Sequence, residues 1–155
     1  MSDCAAVQIA RSRGARVIGT ASPNNHEYLR SLGAEPTTYG EGLVERVREI
    51  APEGVDAGLD AAGGGALPAL TELAGGPEHV VTIADFAGAQ ETGARFSGGM
   101  GAERAVHALK EIGALIETDR FALPVAQTFP LEQAARAHEV SETGHVRGKL
   151  VLLVG

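Results

Sequence analysis

At 155 residues the chain is long enough for one domain with a real core, and its 44% hydrophobic and 21% charged residues are ordinary for a soluble globular protein. A net charge of -7 excludes a general nucleic-acid binder, because neutralising phosphates takes clustered Lys and Arg. The lone cysteine, Cys4, excludes an internal disulfide and a multi-cysteine zinc cluster, and no apolar run approaches the ~20 residues that span a bilayer. The N-terminus also lacks the basic and apolar regions of a signal peptide. The expectation is a cytoplasmic chain with neither a membrane nor a nucleic acid as partner.

The pattern predicts alternating helices and strands. A helix over 4–13 ends at Gly14, and an apolar strand follows at 15–20. The helix predicted over 24–32 carries Tyr28, Leu29 and Leu32, with Gly33 where a left-handed cap belongs. A short extended piece at 36–39 precedes a helix at 41–50, whose Leu43, Val44, Val47 and Ile50 share one face. Pro52 and Gly54 break the chain before a strand at 55–60. That strand runs into Gly63-Gly64-Gly65 and a helix at 65–74.

A β-branched strand is predicted at 79–84 and an extended piece near 94–97. Ala105, Val106, Leu109, Ile112 and Ile116 mark a helix over 101–116. The remaining elements are a strand at 123–128, a helix at 130–141 and a strand at 148–154. Such alternation with short connections implies a parallel sheet covered on both faces.

Several stretches in this order resemble the medium-chain dehydrogenase/reductase family. They are Ala5-Ala6-Val7-Gln8-Ile9-Ala10, Gly14-Ala15-Arg16-Val17-Ile18-Gly19-Thr20, Leu32-Gly33-Ala34, Tyr39-Gly40-Glu41 and Gly54-Val55-Asp56-Ala57. Two more are Thr128-Phe129-Pro130-Leu131-Glu132-Gln133-Ala134 and His145-Val146-Arg147-Gly148-Lys149-Leu150-Val151-Leu152. The nearest branch resembles the zinc-independent quinone oxidoreductases and the NADPH-dependent enone reductases.

The resemblance implies an α/β fold: a Rossmann-like parallel sheet flanked by helices, incomplete because the first strand and its glycine-rich loop are not among these residues. It divides the chain into a dinucleotide-binding portion over 1–121 and a tail over 122–155. In the family that tail packs partly on a separate catalytic domain, which this sequence does not contain. The implied chemistry is hydride transfer from NADPH to a quinone or enone, without zinc. The competing expectation is a non-catalytic or partner-dependent half-domain, joined by a separate catalytic half or by further copies of itself. Loss of a central strand leaves two unpaired strand edges. Self-association is then expected through that gap or through the edge at 94–97.

The resemblance places candidate cofactor contacts at strand C-termini, the edge where open α/β sheets bind ligands. Ser22 and Asn25 follow a strand that ends without an acid, so both are placed to donate to an NADP phosphate. A turn opening the next helix explains Pro23-Asn24 equally well. Tyr39 matches a tyrosine against the adenine-side ribose. Ala61, Ala62 and Gly63 match the turn under the nicotinamide ribose, although Gly63-Gly64-Gly65 alone reads equally as a tight turn. Ile83 and Ala84 match another cofactor-lining segment. Lys149 matches a lysine near the cofactor or is a solvent-facing lysine.

No catalytic residue is assigned. At the first helix the pattern favours Ser2 or Asp3 as a cap over a phosphate site. Cys4 is read as an incidental small residue rather than a nucleophile, for want of a nearby histidine. The cluster of Arg11, Arg13 and Arg16 is read as complementing a helix dipole. The five histidines lack ligand spacing, with His107 expected mid-helix and His138 on an inner or flanking face. Glu45, Glu49, Glu103 and Glu111 read as a solvated surface.

Overall fold

The structure is a computed structural model that describes residues 3–98, 105–144, 146 and 148–155. Helices and strands alternate from the start. Helix α1 (Asp3–Ser12) leads to β1 (Ile18–Thr20), α2 (His26–Ser31) to β2 (Glu35–Thr37), and α3 (Leu43–Ile50) to β3 (Gly58–Asp60). Next come α4 (Leu67–Leu73), β4 (Val80–Thr82), α5 (Phe86–Thr92) and β5 (Arg95–Phe96). The chain finishes with α6 (His107–Glu117), β6 (Val125–Pro130), α7 (Ala134–Glu142) and β7 (Lys149–Leu153).

The structure departs from the sequence reading at several points. The helix expected at 24–32 opens as a 3-10 turn, Pro23–Asn25, because Pro23 has no N–H to give and suits a first helical position. The helix expected at 130–141 likewise opens as a 3-10 turn over Leu131–Gln133, after Pro130. Helix α5 is not predicted by the apolar pattern at all. Its signal is the cap: the Asp85 carboxylate accepts from the Gly88 N–H at 2.8 Å, and Gly93 closes the helix at φ 81°. Finally, α6 begins at His107, so this residue is exposed at a helix start and not mid-helix. The first part of the predicted 101–116 helix, with Glu103, lies outside the described residues, as do Ser2 and His145. His138 is exposed on α7, against the inner or flanking position expected for it.

The strands form three parallel ladders. Ile18 pairs with Glu35 in β1–β2, Gly58 with Val80 in β3–β4, Val81 with Arg95 in β4–β5, and Phe129 with Leu152 in β6–β7. A doubly wound sheet runs in the order 3-2-1-4-5-6. Strands β2 and β1 take the third and second places, and β3, β4 and β5 take the fourth to sixth. Among the described residues no ladder joins β1 to β3, so a seam runs where the first strand of that order belongs.

Packing divides at the same seam. Val7, Leu29 and Ala34 form one buried cluster with Val17, Ala21 and Leu32 against it. Leu67, Ala74, Val80, Ala89 and Ala94 form another, with Val55, Leu70 and Phe96 against it. Helices bridge what the strands do not. Arg48 of α3 pairs with Glu72 of α4 at 2.8 Å, on the exposed side. Arg13, just past α1, pairs with Glu111 of α6 at 2.8 Å.

The deepest tie between α1 and the tail is Gln8. Its amide donates to the Cys4 and Ala122 carbonyls at 3.0 Å each and accepts from the Ala122 N–H at 2.8 Å. Gln8→Ala removes both bonds to residue 122, whose N–H and C=O are part-buried. Each such bond contributes about 0.5–1.5 kcal/mol net. The variant should lose about 2 kcal/mol of stability, and limited proteolysis should cut the 118–124 connection faster than in the parent. An unchanged cleavage rate there would contradict this role for Gln8. No helix among the described residues is long and apolar enough to cross a membrane.

Candidate functional site

Four loops at strand C-termini carry the predicted contacts, and each is held by its own polar tie. After β1, the Asn25 N–H donates to the Ser22 carbonyl at 2.8 Å, closing the turn. The Asn25 amide also donates to Ser22 Oγ at 3.1 Å. His26 Nε2 donates to the Ala21 carbonyl at 3.1 Å. The turn reading of this loop is thus realised, with the Asn25 amide and the Ser22 hydroxyl tied to each other.

After β2, Tyr39 stands 65% exposed. Its loop is fixed from α3, where Arg46 donates to the Thr38 carbonyl at 3.0 Å and to the Glu41 carbonyl at 2.8 Å. Gly42 enters α3 at φ 72°, and a Cβ there would meet the Arg46 guanidinium at 2.8 Å. The glycine is thus required twice, by its backbone and by the arginine that steadies the loop.

After β3, the turn Ala61-Ala62-Gly63 folds over the buried carboxylate of Asp60. Oδ1 accepts from the Ala62 N–H at 3.2 Å and from the Gly63 N–H at 2.8 Å. Oδ2 accepts from the Thr82 hydroxyl at 2.7 Å. After β4, Ile83 is exposed, and its N–H donates to the Asp60 carbonyl at 2.9 Å. Ala84 and Asp85 donate their N–H groups to Thr82 Oγ1 at 3.1 and 3.0 Å. Register makes Asp60 and Thr82 cross-strand partners.

Lys149 sits apart from these loops in chain order, at the start of β7. With Cys4, Tyr28, Leu123, Pro124 and Gly148 it lines an open cleft of about 230 Å³, solvent-filled space included. That is below the size that encloses a drug-sized ligand. The cleft does bring Lys149 beside Cys4 in the first turn of α1.

The resolved pKa shifts lie away from these loops. Bonding to Arg16 draws the Glu35 carboxyl below the usual range, and bonding to Arg13 does the same for Glu111. Their arginine partners are raised in turn, first by the same hydrogen bonds. Both pairs are exposed and act on the surface. The sequence reading missed Asp60, Thr82 and Arg46 as loop-holding residues. The only signal for Asp60 and Thr82 was that both are polar residues near the ends of apolar strands.

The profile of the zinc-binding dehydrogenase family matches residues 32–152. The chain belongs to this family. Solved structures agree with it over nearly the whole chain. An NAD-dependent alcohol dehydrogenase shares 28% identity at a TM-score of 0.79, over 98% of this chain and 48% of its own. An alcohol dehydrogenase superfamily protein from Novosphingobium aromaticivorans shares 28% at 0.76, over 97% and 52%. The quinone oxidoreductase from Coxiella burnetii shares 31% at 0.69, over 97% and 49%. The chain thus spans about half the length of these proteins. No curated protein gives a significant sequence match. The fold is the α/β, Rossmann-like nucleotide-binding part of such enzymes.

The family's name implies zinc, and the described residues do not fit it. Among the described residues no three His, Cys, Asp or Glu side chains gather around one point, and Cys4 is buried.

Proposed function

We propose that this chain is the nucleotide-binding part of an oxidoreductase that uses NADPH to reduce a small electron-poor acceptor of the quinone or enone class. The observation that carries the reading is the set of four braced loops, each following a parallel strand at its C-terminal end. The bound cofactor supplies the hydride, and protein supplies position and field. Ala61, Ala62 and Gly63 present backbone to the nicotinamide ribose, with Ile83 and Ala84 beside them. Tyr39 lies against the adenine-side ribose. Ser22 and Asn25 donate to the extra phosphate of NADP, and Lys149 faces the anionic middle of the molecule. No acceptor-binding residue is assigned, and no step is derived through zinc.

Calorimetric titration of the chain with NADPH and NADH tests this. Asn25→Asp sets a carboxylate against the NADP phosphate. It should weaken NADPH about tenfold, about 1.4 kcal/mol, and leave NADH within twofold. Absence of saturable binding by either nucleotide would overturn the reading.

The seam favours a second reading, that of a half-domain which depends on a partner. Parallel strands turn the N–H and C=O of alternate residues to opposite sides. Val17 and Ala21 bond to β2, and Asp60 bonds toward β4, so Ile18, Thr20 and Leu59 face the seam. The matching occupant is a parallel strand from a second copy or from a separate catalytic half.

A further inference from the structure

We propose that Asp60 and Thr82 form one buried positioning unit that makes the turns 61–63 and 83–85 move as a single body. The inference rests on the cofactor reading above for its purpose, and on geometry alone for its mechanics.

The hydrogen-bond inventory is closed. A threonine hydroxyl has one hydrogen and two lone pairs. Thr82 gives its hydrogen to Asp60 Oδ2 at 2.7 Å and takes the Ala84 and Asp85 N–H groups at 3.1 and 3.0 Å. Nothing is left over, and the side chain is 0% exposed, so no water stands by to replace a lost bond. Asp60 is 4% exposed, and its other oxygen holds the Ala62 and Gly63 N–H groups. The hydroxyl therefore joins two turns that belong to different strands. The turns also lie side by side, since a Cβ added at Gly63 would come 3.7 Å from the Ala84 Cβ. The linkage runs on into α5, because Asp85, held by Thr82, caps that helix through Gly88.

Both oxygens of Asp60 point at donors of its own chain, so it is a positioning residue and not a catalytic one. The purpose follows from hydride transfer, which needs reacting atoms about 3–3.5 Å apart. Two turns that flank one ring must keep a fixed separation, and a carboxylate shared between them sets it.

Three variants separate positioning from plain stability. Thr82→Val keeps the shape and deletes all three bonds. Thr82→Ser keeps the hydroxyl. Asp60→Asn must place an NH2 group either against the Ala62 and Gly63 donors or against a hydroxyl whose lone pairs are full. Val47→Ala, in the buried face of α3, serves as a destabilised control.

Amide hydrogen exchange on the chain without nucleotide reads the mechanics. Thr82→Val should speed exchange at least tenfold at Ala62 and Gly63, which bond to Asp60 and not to Thr82, as well as at Ala84 and Asp85. Thr82→Ser should restore protection, and Val47→Ala should leave the ratio between these amides and the rest of β3–β4 unchanged. Unaltered protection at Ala62 and Gly63 in Thr82→Val overturns the proposal whatever the nucleotide does. NADPH titration reads the purpose. Thr82→Val and Asp60→Asn should weaken binding about tenfold, beyond any loss in Val47→Ala, with Thr82→Ser near the parent. Equal losses in Thr82→Val and the control overturn the positioning role. If the parent itself binds no nucleotide, the cofactor reading falls with the purpose, and the exchange result still decides the mechanics.

Discussion

Leu67→Ala should lower the stability of the chain by about 3 kcal/mol, within the range for a fully buried leucine cut to alanine, and the loss should be uneven. Leu67 is 0% exposed and sits at the head of α4, among Ala74, Val80, Ala89 and Ala94. Four of these five residues are small or β-branched, so little side-chain length is at hand to refill the cavity. The cluster around Val7, Leu29 and Ala34 shares no residue with it. No strand ladder couples the two halves among the described residues. The bridging ion pairs, Arg48–Glu72 and Arg13–Glu111, are exposed, and exposed pairs contribute about 0–1 kcal/mol each. Hydrogen exchange should therefore show β3, β4 and β5 opening at lower free energy in Leu67→Ala while β1 and β2 keep the parent's protection. Leu29→Ala should give the mirror result. Equal loss of protection on both sides of the seam would mean one cooperative unit and would contradict this division.

The order of helices and strands was legible because apolar spacing and glycine or proline stops mark each element separately. Leu43, Val44, Val47 and Ile50 announce α3 without help from the rest of the chain. Helix α5 was not legible on those terms. Phe86-Ala87-Gly88-Ala89-Gln90-Glu91-Thr92 buries only Ala89, so it has no apolar stripe to read. What makes it a helix is the Asp85 cap and the leftward turn at Gly93, and a D-x-x-G spacing is too common to decide by itself. Strand ends were blurred for a related reason. Val17 continues the apolar run of residues 17–20, but the ladder starts only where Glu35 arrives opposite Val17 and Ile18.

The candidate site divides the same way. Loops at strand C-termini were found because their place in the order is enough to find them. Asp60 and Thr82 were not found, since their partnership is a fact of register between strands 22 residues apart. The role of Arg46 was hidden because a charged residue on an amphipathic helix reads as surface. Only the fold shows its guanidinium turned back on the carbonyls of Thr38 and Glu41. The seam was the opposite case. A sheet order with one place empty is a topological expectation, and topology survives errors of a few residues in every strand.

Leu59→Lys should then separate the seam from every other route to association. Unpaired strand edges recruit other strands, and a charged residue set on the edge is the usual protection. Of the outer edges of this order, β2 is three residues long and carries Glu35 and Pro36, while β5 is only two residues long, carries the charge of Arg95, and has Phe96 occupied against Phe86 with ring centroids 5.2 Å apart. The seam has no such guard: Ile18 and Thr20 face it from one rim and Leu59 from the other. Leu59 is 49% exposed although it is the central residue of a strand, which is where a sheet neighbour would cover it. The parent chain should sediment faster as its concentration rises. Leu59→Lys should weaken that association at least tenfold, about 1.4 kcal/mol, and shift the folding midpoint little, since an exposed substitution usually changes stability by no more than about 0.5 kcal/mol. A parent that stays monomeric at high concentration would remove the self-association arm of the second reading. Undiminished association in Leu59→Lys would move the contact away from the seam. In that case the apolar tail surface at Val125, Leu152, Leu153 and Val154 becomes the place to substitute next, because it is exposed and lies on the separate β6–β7 sheet and the residue after it.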